Sequence, residues 1–510
     1  MTRSTLLALL GGASLLAGCN LAPKYVQPAG AVPAALPSGG VYPPGGTEGV
    51  DVGRIGYAEF FTDERLRRVI GRGLENNRDL RLAAANVLQA RERYRVQRAD
   101  RVPTTAISGS ATYTNNPFGA LGAAGGATGA GTGTGAGAGT GGGVGTGTGT
   151  GGSTGVGSGA GIGGTGSTNL EFYSVNTGFS AFEIDLFGRI RNLTEAALQQ
   201  YLATEEAQRA TRITLVGEIA NAWLTLAADQ DQLRISRDTL RTFQQTRDLT
   251  AAQFRTGVAS ELEARQADTN YQAARNDIAV LETRIAQDRN ALDLLVGAPV
   301  SVDLLPGGLG EGFATIGNLP AGLSSAVLLR RPDVLQAERQ LIAQNANIGA
   351  ARAALFPTIS LTATVGTIST ALSGLFGGGS FTYSAAPNVA LPLFDGGRRQ
   401  ANVRLAEAQR LAAVATYERT IQTAFREVAD ALAQRGTIDD QLAAQTARAE
   451  SAQVAARLSE ARYRVGVSSF LEALDAQRTA YAAQQQLVNT RLARTSNLVE
   501  LYRTLGGGLN

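Results

Sequence analysis

The sequence predicts a mainly α-helical, internally duplicated chain whose four β-strands belong to a membrane β-barrel. Three observations predict this fold class. The eleven residues 254–264, FRTGVASELEA, return as 463–473, YRVGVSSFLEA, with seven identities. Two stretches of helical pattern, 189–253 and 400–462, contain no proline. Two pairs of short segments alternate apolar and small polar residues, which is the pattern of a strand.

The duplication extends along the chain at two constant offsets. Arg255 recurs as Arg464, 209 residues later, and Asp79 recurs as Asp333, 254 residues later. The two offsets differ by 45 residues, and this difference falls on the Gly/Thr/Ala-rich stretch 119–166, which holds 25 of the 63 glycines. Each half therefore has the same plan, and the first half carries an insert.

The N-terminus predicts export and a lipid anchor. Arg3, the apolar run 6–16 and the sequence LAGC at 16–19 have the order of a secretory signal with a cleavage site, so residues 1–18 are expected to be removed. The motif resembles a bacterial lipobox, which implies an N-acyl group and an S-diacylglycerol on Cys19, the only cysteine. Many similar lipoproteins are retained at the inner membrane by an aspartate directly after the cysteine. This chain has Asn20 there, so the outer membrane is the expected location. The alternative is an ordinary signal with a chance cysteine.

Composition excludes several other classes. The 46 basic and 43 acidic residues are scattered, which is typical of solvated helix faces and not of a nucleic-acid surface. Histidine is absent, and no phosphate loop or metal-ligand spacing occurs. The Gly-rich insert lacks the Gly-Lys-Ser/Thr ending of a phosphate loop. No enzyme active site and no cofactor other than the lipid are therefore expected.

Apolar residues alternate with small or polar ones in the strand segments, as three of the four illustrate. The apolar positions are Tyr173, Val175, Phe179 and Ala181 in the first half, and Ile359, Leu361, Ala363 and Val365, then Phe381, Tyr383, Val389 and Leu391, in the second half. In a soluble sandwich this face would be core, whereas in an outer-membrane barrel it faces lipid, and the predicted anchor favours the membrane. Four strands cannot close a barrel, so several copies of the chain are expected to contribute; two, three or four copies fit the spacing.

The helices predict an elongated assembly. At 1.5 Å per residue each long helix would extend for ~95 to 100 Å, far more than a globular domain accommodates. A coiled-coil seam is predicted at Ile219, Trp223, Leu226, Leu233 and Leu240, with Trp223 in a packing role. Shorter helices, 79–101 with 259–295 and 333–355 with 468–504, are expected to stack end to end beside each long helix around a hollow cylinder.

These elements define the expected organisation of the chain. It comprises a signal peptide at 1–18, a lipidated extended segment at 19–60, upper helices at 61–101, a β-hairpin at 102–186 with the external loop 119–166, a long helix, tip and return helix at 187–300, a linker and upper helix at 301–355, a second hairpin at 356–394, and a second long helix, tip and return helix at 395–510.

Several segments resemble the lipoprotein branch of the TolC/OprM-type outer-membrane efflux factors. They include LAGCNLAPKY (16–25), FEIDLFGRIRNLTEAALQQYLATEEAQRA (182–210), LLRRPDVLQAERQLIAQNANIGAARAALFPTISL (328–361) and LPLFDGGRRQAN (391–402). The resemblance covers almost all of the mature chain except the Gly-rich insert. It implies a homotrimer with a twelve-stranded barrel in the outer membrane, continuous with a twelve-helix periplasmic tunnel. It also implies two partners, a periplasmic adaptor (membrane fusion) protein and an inner-membrane transporter, usually a proton-driven drug pump.

The resemblance also indicates a periplasmic gate near the tips. Leu471 and Asp475 match the leucine and aspartate, one turn apart, that line the narrowest ring in the family, and Glu472 matches a second acidic position. We expect three copies of Asp475 to attract cations and to hold the gate narrow together with Leu471. In the first half Gln266 replaces the aspartate. The alternative is a solvated Asp475 and a Leu471 that packs in a helix seam.

The repeated tips are predicted to dock the adaptor. The residues expected there are Arg255, Gly257, Val258 and Ser260, with Arg464, Gly466, Val467 and Ser469. Turn geometry alone explains the two glycines, because glycine accepts positive φ. It does not explain why the arginine and the serine recur, which favours a contact surface.

The predicted function is that of an exit duct for drugs or other small toxic compounds at the outer membrane. A type I protein-secretion duct shares the same machinery and is the main alternative. A non-conducting structural lipoprotein would need no amphipathic strands. The Gly-rich insert is interpreted as an external loop, with adhesion or phage docking as an alternative role.

Overall fold

A computed structural model of the chain describes residues 20–28, 31–44, 55–115, 169–309 and 324–507. The signal sequence, Cys19 and the Gly-rich insert lie outside these residues. The chain divides into two compact units. One, the sheet unit, includes Arg98–Arg191 and Arg352–Arg399, and the other, the helical unit, comprises Ala22–Gln97, Asn192–Ala351 and Gln400–Asn510.

The first half, residues 55–300, contains five helices and two strands in the described part. They are α1 (Tyr57–Phe60), α2 (Glu64–Asn76), α3 (Arg78–Ala99), β1 (Ala106–Asn115), β2 (Asn169–Glu183), α4 (Arg189–Arg255) and α5 (Glu261–Val296). The second half, residues 324–507, contains α6 (Pro332–Ala353), β3 (Thr358–Ser369), β4 (Phe381–Ala390), α7 (Arg398–Arg464) and α8 (Phe470–Thr504). Among the described residues, none of the helices offers an apolar stretch of the length that a membrane-spanning helix needs.

The helix boundaries follow the two sequence offsets. The long helices α4 and α7 have 67 residues each and begin and end at positions 209 residues apart. The upper helices α3 and α6 have 22 residues each and are related by the offset of 254. The predicted fold class, a mainly α-helical duplicated chain with four strands, is confirmed. Helix α4 begins at the predicted residue and extends two residues beyond the predicted end, and α7 extends two residues beyond the prediction at each end.

In the first half the two shorter helices lie beside successive parts of the long one. The rings of Tyr94 on α3 and Tyr201 on α4 stack with their centroids 6.4 Å apart. Further along α4, Arg237 forms an ion pair with Glu282 of α5 at 2.8 Å. Where the two short helices meet, the side-chain amide of Asn77 donates to the carbonyl of a residue at the end of α5 at 2.8 Å. This is the end-to-end arrangement that the helix lengths predicted.

The main hydrophobic core of the helical unit surrounds the middle of α4. Ile219, Trp223 and Leu226 are fully buried, whereas Leu233 and Leu240, predicted in the same seam, are only half-buried. The Trp223 indole donates to the Leu304 carbonyl at 3.1 Å, which satisfies its one polar group. The packing role predicted for Trp223 is therefore confirmed.

The start of α6 is fixed by a buried arginine. Arg331 donates to the Asp333 carboxylate at 2.7 Å, to Glu427 of α7 at 2.9 Å and to the Thr504 carbonyl at the end of α8 at 2.8 Å. One guanidinium thus joins three helices of the second half, and its charge is balanced by two carboxylates, as a buried charge requires.

The sheet unit contains four antiparallel strands in the order β1-β2-β3-β4. Within the chain β1 and β4 are therefore edge strands. The predicted regular alternation in β2 fails near its end, because the register shifts between Phe179 and Phe182. Ala181 has a φ of 52° there, and its N–H donates to the Thr362 hydroxyl at 3.0 Å. This β-bulge inserts an unpaired residue, so Ala181 does not continue the apolar face.

Candidate functional site

The first tip joins α4 to α5 through residues 256–260. Gly257 has a φ of 76°, a conformation that glycine adopts without steric cost. Its N–H donates to the Phe254 carbonyl at 3.0 Å, and the Val258 N–H donates to the Gln253 carbonyl at 2.8 Å. These two bonds form a Schellman motif, which satisfies the last carbonyls of the long helix and reverses the chain.

The second tip joins α7 to α8 through residues 465–469 with the same backbone. Gly466 has a φ of 75°. Its N–H donates to the Tyr463 carbonyl at 3.0 Å, and the Val467 N–H donates to the Arg462 carbonyl at 2.9 Å. The identical residues of the two tips therefore encode one turn geometry, twice.

The recurring serines begin the return helices. The Ser260 hydroxyl accepts the Glu263 N–H at 3.3 Å, and the Glu263 carboxylate accepts the Ser260 N–H at 2.8 Å, forming a capping box. The Ser469 hydroxyl accepts the Glu472 N–H at 3.2 Å. Such a cap contributes about 1 kcal/mol to helix stability. Helix capping, which the sequence interpretation did not consider, therefore explains why the serine recurs.

The recurring arginines are exposed and have different surroundings. Arg464 forms an ion pair with Glu460, one turn earlier on α7. In the first half Ala251 occupies the position of Glu460. Arg255 has no ion-pair partner among the described residues. Because an exposed ion pair contributes at most about 1 kcal/mol, neither arginine is needed for the turn itself, and both remain candidates for contact with a partner.

A small apolar cluster supports the second tip from inside. Phe470, Leu474 and Ala267 are buried together, and Tyr463 packs against them, with the Phe470 and Tyr463 ring centroids 5.6 Å apart. The Tyr463 hydroxyl donates to the Gln253 side-chain carbonyl at 2.7 Å. Burial raises the pKa of the Tyr463 phenol. The second tip is therefore attached to the end of α4.

The candidate gate residues occupy the exposed side of α8. Leu471 is 63% exposed, and Asp475, one turn later, is also exposed. Within a single chain Leu471 does not pack in a helix seam. Asp475 has no ion-pair partner in the part of the chain that the structure describes. In the first half Leu262 is 66% exposed, while Gln266 is half-buried and uncharged.

A polar network that sequence reasoning missed connects α8 to the first half. The Tyr481 hydroxyl donates to the Asp277 carboxylate at 2.9 Å and lies 2.8 Å from the Ser236 hydroxyl. Burial, together with Asp277, raises the pKa of Tyr481 to about 12. One turn earlier, Gln477 donates to the Thr246 hydroxyl at 3.2 Å. The only signal in the sequence is the spacing of four residues between Gln477 and Tyr481.

Comparisons with known proteins agree over nearly the whole chain. The sequence profile of the family described as "Outer membrane efflux protein" matches residues 69–298 and 323–507. The chain is 41% identical over 496 residues to the solvent efflux pump outer membrane protein SrpC of Pseudomonas putida, covering 97% of this chain and 96% of SrpC. It is 38% identical over 496 residues to the cation efflux system protein CusC of Escherichia coli (strain K12), covering 97% of each.

A solved structure gives the same result. The crystal structure of a membrane protein from Pseudomonas aeruginosa superposes with a TM-score of 0.82 at 37% identity, covering 96% of this chain and 98% of that one. The duplicated long helices, the four-stranded sheet and both tips fall within the matched ranges. The chain therefore belongs to the outer membrane efflux protein family, and it is a transport conduit of the outer membrane rather than an enzyme.

Proposed function

We propose that three copies of this chain form the outer-membrane exit duct of a tripartite efflux system. In this proposal the three sheets close a twelve-stranded barrel, and the helices line a periplasmic tunnel that ends at the tips. The lipid anchor on Cys19, which lies outside the described residues, holds each copy to the membrane.

The observation that carries this proposal is the open sheet with an exposed apolar face. The edge strands β1 and β4 have unpaired backbone groups within one chain, and lipid cannot satisfy such groups. Exposed apolar side chains include Ile107 and Tyr113 on β1 and Phe381, Tyr383 and Val389 on β4. Neighbouring copies would pair the edges and leave this face toward lipid, while three copies of four strands exceed the eight of the smallest single-chain barrels.

The gate proposal rests on the exposed side of α8. Three copies of Leu471 would narrow the entrance, and three unpaired Asp475 carboxylates beside it would repel one another and attract cations. The first half contributes Leu262 but no equivalent of Asp475. The gate would therefore consist of three acidic and three neutral positions in alternation.

Conductance of purified trimers in planar lipid bilayers tests the duct and the gate separately. The double variant Leu471→Ala with Asp475→Ala is expected to raise single-channel conductance several-fold and to lower the preference for cations. The matched control, Leu262→Ala with Gln266→Ala, should raise conductance without changing the cation preference. Unchanged leak and selectivity in the first variant would refute the gate alone. The absence of conductance in every variant would refute the duct.

The tips are proposed to dock a periplasmic adaptor. Val258 and Val467 are 76% and 66% exposed at the two turns, and neither belongs to a buried cluster of the described residues. Ser260 and Ser469 are unsuitable positions for a crosslinking residue, because replacing either serine would remove a helix cap. A photo-crosslinking residue at Val258 or Val467 is expected to capture a co-expressed adaptor, and one at Val302, equally exposed, should not. Failure of both tip positions would contradict the docking proposal.

The cargo is proposed to be selected by the inner-membrane pump. Relatives of similar identity are named for different cargoes: SrpC for solvents at 41%, ArpC of Pseudomonas putida for antibiotics at 40%, and CusC for cations at 38%. Similar identity to relatives named for three kinds of cargo gives no reason to assign one cargo to this duct. Exchanging this chain into cells that express different pumps should therefore leave each pump's cargo range unchanged.

A further inference from the structure

Residues 22–28 and 31–44, here called the strap, lie on the helices of the second half. Three side-chain hydrogen bonds join the strap to α6 and α7, between the Asn345 amide and the Pro23 carbonyl at 2.6 Å, between the Tyr25 hydroxyl and the Glu338 carboxylate at 3.1 Å, and between the Gln27 amide and the Tyr417 hydroxyl at 2.9 Å. The strap therefore contacts both helices of this pair.

The later part of the strap is anchored in the core. Leu36 is buried, and Tyr42 packs against the main hydrophobic cluster. The Ser325 N–H donates to the Ala34 carbonyl at 2.9 Å. A chain segment with buried apolar side chains and satisfied backbone groups has a defined place, unlike a flexible tether.

Two helical glycines provide the space in which the strap approaches the helices. A Cβ atom at Gly436 of α7 would lie 2.0 Å from the Val41 carbonyl oxygen. A Cβ atom at Gly349 of α6 would lie 2.7 Å from the Ala22 Cβ atom and 2.8 Å from the Ala22 nitrogen, and also 2.7 Å from the side-chain nitrogen of Asn192 on α4. Glycine inside a helix costs about 1 kcal/mol relative to alanine. Since the helices lose stability through these glycines, the close approach of the strap is the physical reason for them.

The first half has no glycine at either corresponding position. Arg95 occupies the position that corresponds to Gly349, and its guanidinium forms an ion pair with Glu92 at 2.7 Å. Ala227, fully buried, occupies the position that corresponds to Gly436. The two halves therefore differ at these two positions, and only the second half has glycine at them.

We propose that the strap is a clasp that holds α6 against α7, with Gly349 and Gly436 as its seats. The strap follows directly after the predicted lipid-bearing residue, so the clasp fixes the second half to the anchored end of the chain. The first half has no such seats, and its long helix α4 is contacted instead by the linker 304–309, through the bond from Trp223 to the Leu304 carbonyl and the bond from the Leu309 N–H to the Asp231 carboxylate at 2.9 Å. This proposal does not require the duct to conduct and goes beyond the proposed transport function.

A single lysine makes the clasp measurable. Lys24 is the only lysine in the sequence, it lies in the strap, and it is exposed. Endoproteinase Lys-C therefore cuts the full chain at one site. Because several residues around that site must enter the protease in extended form, cleavage requires the strap to leave its seats. The rate of cleavage of the purified, folded protein then reports the population of undocked strap.

We expect Gly436→Ala to increase the cleavage rate at Lys24 by about tenfold or more, because its new Cβ would lie only 2.0 Å from a backbone oxygen of the strap, closer than any strap atom to a Cβ at Gly349. Gly349→Ala should have a smaller effect in the same direction. The matched control is Gly217→Ala on α4, where the new Cβ would lie 3.4 Å from the nearest atom, the Arg503 Cδ. The control should be cleaved at the wild-type rate.

Hydrogen exchange supplies the second measurement. Amides of α6 should exchange faster in Gly436→Ala, whereas amides of α3, the corresponding helix of the first half, should not change. If Gly436→Ala does not fold, Tyr25→Phe removes one bond of the strap and should still increase cleavage several-fold. Wild-type cleavage rates in the folded variants, with unchanged exchange in α6, would overturn the clasp.

Discussion

The two tips have the same backbone conformation, but only the second one is packed against a buried apolar cluster. Both end in a Schellman motif with glycine at positive φ and continue from a serine cap. Behind the second tip Phe470 is buried, but at the corresponding place in the first tip Glu261 is exposed and pairs with Arg265 at 3.2 Å. The duplication thus kept the bonds that each turn makes with itself, while residues that contact other helices diverged. The second half has become the more internally anchored one.

The same contrast recurs at the base of the upper helices. Arg331 of the second half is buried among the carboxylates of Asp333 and Glu427. The corresponding residue of the first half is Asn77, which caps α3 by accepting the Leu80 N–H at 2.8 Å. One half therefore uses a charge network at a position where the other uses a neutral cap.

The largest expected effect on stability comes from a substitution that removes this charge network. Arg331→Ala would leave the Asp333 carboxylate without its ion-pair partner and Glu427 with only Arg503, 3.9 Å away, and we expect a loss of about 3 kcal/mol of unfolding free energy. Asn77→Ala, the matched change in the first half, should cost about 1 to 2 kcal/mol, since it removes neutral hydrogen bonds. Denaturant unfolding followed by helical circular dichroism measures both. Equal losses would show that the two halves do not differ in this respect.

The next effect concerns the anchoring of the second tip. Phe470→Ala removes a buried ring from the cluster with Leu474 and Tyr463, with an expected cost of about 3 kcal/mol. Glu261→Ala in the first tip replaces an exposed residue and should change stability by less than about 0.5 kcal/mol. Hydrogen exchange at residues 463–475 and 254–266 would locate each change. Similar exchange in both variants would contradict the difference in support.

Much of this comparison was accessible from the sequence. Repeated residues in the sequence show the offsets of 209 and 254 residues, and the boundaries of α4 and α7 are related by the first offset. The spacing of Trp223 on an apolar helix face predicts its packing role, which the structure confirms. Such patterns succeed where a residue's role depends on neighbours three or four positions away.

The features that the sequence did not predict depend on contacts between residues far apart in the chain. The strap on Gly436 and the bond from Tyr481 to Asp277 join residues more than 200 positions apart, and nothing in local periodicity indicates such pairs. The bulge at Ala181 also escaped prediction, because an alternating pattern continues through it and only the pairing with β3 shows the shifted register. The recurring serines predict a contact surface only when their capping of α5 and α8 is left out of account.

A smaller effect comes from a carboxylate pair that only the first half contains. Burial and the neighbouring Asp229 carboxylate raise the pKa of Asp288 to about 6 from an ordinary value of 3.8, and Arg284 is the cation that opposes this shift. The second half has Ile438 and Asn497 at the corresponding positions. Because the folded chain binds more protons between these two pKa values, its stability falls as pH rises from about 4 to about 6.

Asp288→Asn introduces the amide that the second half already has. The variant should be more stable than the wild type by about 1 kcal/mol above pH 6.5, after allowance for partial exposure, and equally stable near pH 4. Thermal unfolding at pH 4.5 and 7.5 measures this difference. Asp238→Asn on the exposed face of α4 is the control and should show little dependence on pH. A variant that is less stable at pH 7.5 would contradict the assignment.

The smallest expected effect concerns the largest difference between the halves, the Gly-rich insert. Its interpretation as an external loop remains a prediction, because the insert lies outside the described residues. Strands β1 and β2 pair continuously up to Asn115 and Asn169, so the two ends of the insert meet at one end of a hairpin. Deleting residues 122–164 leaves a short connection and preserves the register of β1 and β2.

We therefore expect the deletion to leave export unchanged and to alter stability by only on the order of 1 kcal/mol, in the stabilising direction, because a shorter loop costs less closure entropy. Minimum inhibitory concentrations in a strain that depends on this duct measure export. A control deletion of equal length inside α4 should abolish export, since it would shift the 209-residue register between the halves. Loss of export in the insert deletion would mean that the insert contributes to conduction, and the two hairpins would then differ in function as well as in length.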